Sequence, residues 1–566
     1  MLPEIIIDDQ RIREELGFSI RDNNMQNLIF LDHPSELIPV FVKKPDGSKT
    51  IIVRNIESNN YFNGGRNEEY VKKANADIVL YDNYFLMETT QECPFPVFGT
   101  EGDALRDGIG AEEASVSDSM PYERFNRFAK RVKLELIPTE NLAAVYHAYE
   151  IDQNYVNLAF TRVNPREVEL ATKLLRENTH LQDGDVAILE KYMNSERTDL
   201  FSVLNDLMKE ENVEQLLVDS ISSVHLLSAL PWAEMKPGKM FVHYDGKKAV
   251  LFCEDELQLA HLRPVGKYDG FKNAVDALCG DKRVGVETKN MPVGRVYSIG
   301  EDRVFDISTM FGLWRTRQTR QFLALYVINA QADIWAINQC VQFAESQFAA
   351  GQEFTEHEVA LMHKKFLQQF ADEHQFDQLH LTISQYSDVF HCGTRSIRPA
   401  IWSDYKVGKD EKTMKIDVGS MLFRDDIMMA GSDLARSCCF TPEAKQAYKI
   451  LGESLRNGCM SKIKGGMSGD EIYWLGMEGL TAREDELKAI HAMPENFSLK
   501  ESYKRDIGHC IDKQVTYNVA IERGEQSCFE TLMAGNLEYQ WPYREFGLGV
   551  EDTYFITPEG TFNLVY

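Results

Sequence analysis

The chain has 566 residues, 43% of them hydrophobic, so it can bury more than one core, and its length argues for roughly two to four domains. A formal charge of −27, from 61 basic against 88 acidic residues, would repel nucleic-acid phosphates and anionic lipid, and no basic cluster is segregated to reverse that. The opening MLPEIIIDDQ has no basic stretch leading an apolar one, no apolar run approaches the roughly 20 residues that cross a bilayer, and 10 scattered cysteines without a CxxC pair read as reduced thiols. A cytoplasmic protein with neither nucleic acid nor membrane as partner is therefore expected.

Residues 1–195 mix short β-like runs, such as IPVFVKKPDGSKTIIVRN around an Asp46-Gly47 turn, with loop-like stretches, and no motif in them carries chemistry. They read as an additional amino-terminal domain. A second unit spans 196–314, where LFSVLNDLMKEENVEQLLVDS predicts an amphipathic helix followed by a buried strand and KMFVHYDGKKAVLFCED predicts a hairpin at Asp245-Gly246. That alternation is an α/β layer. The third unit, 315–566, opens on a long helical region that restarts at FTEHEVALMHKKF, with Thr355 and Glu358 spaced as a capping box. Strand-like and helical segments then alternate, which predicts a mixed α+β domain with helices packed on an antiparallel sheet.

Five metal-ligand-type residues fall in order through this third unit: Asp417 in IDVG, Asp433 in GSDLARS, His509 in IGHC, Glu538 in GNLEYQ and Glu551 in GVEDTYFIT. Hard oxygen ligands with one imidazole suit a pair of divalent transition ions. Asp417 ends a strand-like run, and Gly419 would let backbone pass close to it. Asp433 follows after a segment long enough for a hairpin, His509 sits in a glycine-flanked turn, and Glu538 and Glu551 are spaced for neighbouring strands. Glu530 competes with Glu538 for the fourth place, and Arg395, Arg398 and Arg544 are candidates to hold a substrate carboxylate, against surface salt bridging. The histidines of HEVALMH, His357 and His363, are spaced wrongly for a zinc HExxH helix, and Cys438 and Cys439 read as buried thiols rather than a redox pair.

The order Asp, Asp, His, Glu, Glu, carried by KIDVG, SDLARS, IGH, AGNLEYQ and GLGVEDTYFITPEG, resembles the pita-bread metallopeptidases: methionine aminopeptidase, aminopeptidase P, prolidase and the related creatinase. The resemblance covers roughly residues 200 to 566 and implies a pita-bread domain behind a creatinase-like α/β domain. It also implies two divalent ions (manganese, cobalt, zinc or iron) on Asp417, Asp433, His509, Glu538 and Glu551, with Asp433 and Glu551 bridging and His509 and Glu538 catalytic. The implied activity is that of an Xaa-Pro aminopeptidase acting on a small peptide. Oligomers are common in the family, and segment 318–350 is the candidate surface for a homodimer.

Departures from the family wording stand beside these matches. Arg398 lies near the place of a family histidine that precedes the first aspartate, with His391 upstream; Thr516 or Tyr517 holds the place of a second histidine; Gly549 replaces an arginine; and Gln540 ends the usual EPG after the fourth ligand. His391, Arg398, Arg544 and Tyr517 are accordingly the substrate-binding candidates. The departures keep two alternatives open: a non-peptidase metalloenzyme on the same fold, creatinase-like or an iron-dependent oxygenase of small amino-acid-like substrates, and a catalytically inactive binding protein like the family's histone-chaperone relatives.

Overall fold

The computed structural model describes residues 113–566 except 131–132, 139–140, 196, 318, 394–404, 496, 504, 512–518 and 544–545, and ahead of these the strands at 40–43, 49–52, 54–55 and 80–81. Strands Val40–Lys43 and Lys49–Ile52 pair antiparallel, the expected Asp46-Gly47 turn between them lying outside the described residues, and with Glu113–Ser117 and Lys133–Ile137 they make a four-stranded sheet. A seven-stranded sheet follows, in the order 262–269, 145–151, 249–253, 240–244, 216–218, 284–286, 304–306. The helix Leu200–Glu210, the buried strand Leu216–Val218 and the hairpin of Met240–Tyr244 with Ala249–Cys253 lie where the sequence pattern puts them. Strand Val145–Ile151 pairs on both its edges with residues beyond 196, so this sheet reaches back across three helices into the first 195 residues. Its burial does not alternate regularly, which hides it among the loop-like runs ahead of it.

The carboxy-terminal unit begins with α1 (Leu323–Ala349) and α2 (Glu356–Glu373). The expected capping box forms at α2: Thr355 Oγ1 accepts from the Glu358 amide at 3.1 Å, and Glu358 Oε2 accepts from the Thr355 amide at 2.7 Å. Eight strands complete the unit: β1 (Leu381–Cys392), β2 (Thr413–Arg424), β3 (Ile427–Gly431), β4 (Leu434–Cys439), β5 (Gly508–Ile511), β6 (Ala534–Tyr543), β7 (Phe546–Thr557) and β8 (Gly560–Asn563). The sheet runs β1-β2-β4-β7-β6-β5, with β3 on β2 and β8 on β7. The two longest helices between β4 and β5 in sequence are α3 (Pro442–Glu453) and α4 (Gly469–Thr481).

Period-two alternation decides which side chains meet helices. Ile416, Val418 and Leu422 of β2 join α1 and α2 in one core, while Leu537 and Tyr539 of β6 and Val550 of β7 join α3 and α4 in another. The residues between them, including Lys415, Asp417, Glu538 and Glu551, therefore point to the opposite face.

The segment RDDIMMAG shapes the approach to that face. Asp425 and Asp426, both with positive φ (51° and 64°), make a two-residue turn that folds β3 back on the second half of β2. The chain crosses at Ser432-Asp433, and β4 then pairs with the first half of β2, Val418 opposite Leu434. Gly419 makes the crossing possible, because a Cβ there would lie 2.2 Å from the Ser432 carbonyl oxygen. A buried network pins the corner to the helices. Ser432 Oγ donates to Asp333 Oδ2 at 2.6 Å, Asp333 Oδ1 meets His363 Nε2 at 3.0 Å, and Ser420 links Ser432 to Asn329. Asp333→Ala would strip His363 and Ser432 of their shared acceptor inside the core, at about 1–3 kcal/mol for each orphaned donor. A lowered midpoint in denaturant unfolding is expected, and an unchanged midpoint would show that the corner does not depend on this network.

Candidate metal centre

Strand register builds the site. Asp417 of β2 lies opposite Ala435 of β4, Ala435 opposite Glu551 of β7, and Glu551 opposite Glu538 of β6, so three carboxylates fall on one row across four strands. Directly opposed residues share a face. A second row joins His509 of β5 to Asn536 and Thr553. Asp433 enters from the Ser432 corner. The sequence pattern places His509 in a turn, whereas the structure places it in β5; Gly508 keeps φ at 139°, and a Cβ there would meet the Asn536 carbonyl oxygen at 2.1 Å. Only glycine permits so close an approach of β5 to β6.

Donor atoms of Asp433, His509 and Glu551 all lie within 4.8 Å of one another. His509 Nδ1 donates to the Cys510 carbonyl at 3.0 Å, which turns Nε2 toward Asp433 Oδ2 at 3.6 Å and Glu551 Oε1 at 4.0 Å. An imidazole held through its far nitrogen and aimed at two carboxylates is the arrangement of a metal ligand. Asn536 Nδ2 donates to Glu551 Oε1 at 2.8 Å and is itself fixed by Thr553 Oγ1 at 2.9 Å. On the other face Arg436 and Arg456 clamp Asp552, the residue after Glu551, at 2.7 and 2.6 Å. The residues present therefore fit a divalent cation, held on rigid elements.

Crowding shows in the titration of these groups. Burial, with the charges of Asp417 and Glu538, pushes the Asp433 carboxyl up to about 6, and burial beside Asp433 and Glu538 raises that of Glu551 well above the carboxylate range. Burial opposes charge on His509, yet the pull of Asp433 outweighs it and raises the imidazole. Burial, with the charge of Glu538, pushes Asp506, four positions beyond the short helix Leu499–Ser502, up to about 7.

Asp417 and Glu538 stand beside this trio in different company. Lys415 Nζ lies 3.2 Å from Asp417 Oδ2, and Gln540 Nε2 donates to both Asp417 Oδ2 at 3.0 Å and Glu538 Oε2 at 2.7 Å. Arg505 Nη2 lies 3.8 Å from Glu538 Oε2. Glu530, the competitor for the fourth place, is held by Arg317 through two contacts of 2.8 Å. His391 lies on β1 opposite Lys415, buried, with Nδ1 3.5 Å from Glu356. Arg395, Arg398, Thr516, Tyr517 and Arg544 lie outside the described residues. Burial raises both Cys438 and Cys439, in keeping with inert thiols. Sequence reasoning passed over Lys415, Asn536 and Arg505, and met Gln540 only as a departure from the family wording, not as a group in the site. Three of them stand two residues from a ligand on the same strand, and that spacing is the signal that would have found them.

No family model matches the sequence, and neither does any curated protein. Among solved structures the chain is similar to an X-prolyl aminopeptidase from Caenorhabditis elegans, described as a cytosolic enzyme with a di-nuclear active site, at 12% identity and a TM-score of 0.52, over 88% of this chain and 78% of that one. The chain has the pita-bread fold. Prolidase from Pyrococcus furiosus aligns over 64% of this chain and 99% of its own at 16% identity and a TM-score of 0.48. The amino-terminal domain of the FACT complex subunit SPT16 from chickpea does so over 64% and 94% at 13% identity and a TM-score of 0.48. In this pita-bread sheet no helix among the described residues is long and apolar enough to cross a membrane.

Each trio member must lose a proton to bind a cation. Because the Asp433 carboxyl is pushed up to about 6 and the Glu551 carboxyl and His509 imidazole are raised as well, metal affinity is expected to fall as pH drops through about 6 and to return above it. Calorimetric titration with Mn²⁺ between about pH 5 and 8 measures this, and an affinity flat across that range would remove these side chains from the ligand set.

Proposed function

We propose that the protein is a metal-dependent hydrolase of the Xaa-Pro aminopeptidase type, acting in the cytoplasm on small peptides. The single observation that carries this reading is the convergence of Asp433, His509 and Glu551 on one point of a pita-bread sheet. The fold it shares with the nematode X-prolyl aminopeptidase, and free cysteines throughout the described residues, support it. A divalent ion in that trio would supply an activated water and polarise a carbonyl. Glu538, buried and fixed by the Gln540 amide, is the group placed to hold the water's proton and pass it on. Asn536 and Thr553 keep Glu551 from swinging out of the trio. The five-residue ligand order and the neighbour's di-nuclear site make two ions the starting expectation.

A second reading, a non-peptidase metalloenzyme on the same fold, draws support from His391. The family-type histidine candidate on β1 is buried against Glu356. Elemental analysis of wild type beside Asp433→Ala, followed by a panel of proline-containing peptides, tests both. Bound metal lost in the variant, with metal-dependent release of the amino-terminal residue, is the expected result. Metal without peptide release favours the second reading, and no metal in either protein after reconstitution favours a binding module.

A further inference from the structure

Two departures from the family wording, Gln540 and Gly549, face each other directly across β6 and β7, and Lys415 reaches the same spot from β2. The Lys415 side chain is only 6% exposed, and its Nζ lies 3.0 Å from Gln540 Oε1 as well as 3.2 Å from Asp417 Oδ2. With its oxygen on an ammonium and its nitrogen on two carboxylates, the Gln540 amide has one admissible orientation; reversal would set donor against donor and acceptor against acceptors. Space for this crossing comes from position 549, where a Cβ would lie 2.9 Å from Lys415 Cδ and 3.0 Å from Gln540 Oε1.

We infer that the centre takes one divalent ion, on Asp433, His509 and Glu551, and that the Lys415 ammonium, fixed by Gln540, supplies beside Asp417 the positive charge that a second ion would bring. The inference rests on the metallohydrolase reading and deepens it. Lys415 neutralises Asp417, and the Gln540 amide ties Asp417 to Glu538, so both carboxylates are engaged by fixed donors. A dication seated on Asp417 would have to displace a buried ammonium or lie against it. Among the described residues no lysine or arginine nitrogen lies within ion-pair distance of the Asp433 or Glu551 carboxylates, so the first ion meets no such opposition.

Metal-stripped protein titrated with Mn²⁺, with bound metal counted by mass spectrometry after desalting and spin coupling read by electron paramagnetic resonance, tests this. Wild type is expected to bind one equivalent with the spectrum of an isolated ion, and Lys415→Arg, which keeps the cation, to do the same. Lys415→Ala combined with Gln540→Gly is expected to take up a second equivalent and show exchange coupling. Two equivalents in wild type would overturn the inference and leave the metallohydrolase reading standing. One equivalent in the folded double variant would remove Lys415 from the role. No binding to wild type at all would sink the underlying reading as well. Should the double variant fail to fold, the wild-type count and spectrum still decide.

Discussion

Carboxylates crowded on a buried sheet face repel one another, and positive charge nearby relieves that repulsion. Asp417, Glu538 and Glu551 share one face because β2, β4, β7 and β6 pair in the register they do, with Asp433 joining them from the Ser432 corner, and that register follows from the alternation of apolar residues packed on the helices behind. A slip of one residue on β2, β6 or β7 would send its carboxylate into the apolar core. The ligand face is thus secured by hydrophobic packing on the side where no chemistry occurs. What remains for the polar face is to find cations, and it has two at hand in Lys415 and Arg505 before any metal arrives.

Much of this was legible in the residue pattern. The Asp245-Gly246 hairpin, the Thr355 cap and the order in which Asp417, Asp433, His509, Glu538 and Glu551 follow one another are local or ordered signals, and each depends on a few residues whose chemistry permits little else. Two things were hidden. His509 looked like a turn residue because Gly508 precedes it, yet here the glycine serves contact between strands rather than a change of direction. The engagement of Asp417 was hidden for a different reason. Lys415 lies inside the very motif that marks the aspartate, but its meeting with Gln540 is a contact across 125 positions, which no spacing rule reports.

The Ser432 corner connects the two halves of the architecture. Asp433 follows directly on a serine whose hydroxyl is bound to Asp333 of α1, and the same aspartate holds His363 of α2. The ligand that enters the site from a chain crossing rather than from a regular strand is therefore fastened through its neighbour to the helical layer. This polar chain makes the corner geometrically specific, since Ser432, Asp333 and His363 are each joined to the next by a directional hydrogen bond.

Strand Val145–Ile151 has a consequence for where this molecule can be cut. It sits second from the edge of the seven-stranded sheet, hydrogen-bonded to residues 249–253 on one side and 262–269 on the other. A protease nicking the chain near residue 196 would leave both fragments bound together through that strand, whereas a gene trimmed to begin there would leave two strand edges seeking a partner. Such exposed edges recruit other chains. The natural seam for dissecting the protein lies ahead of Val145, and a shorter piece is suited to aggregation rather than to crystals.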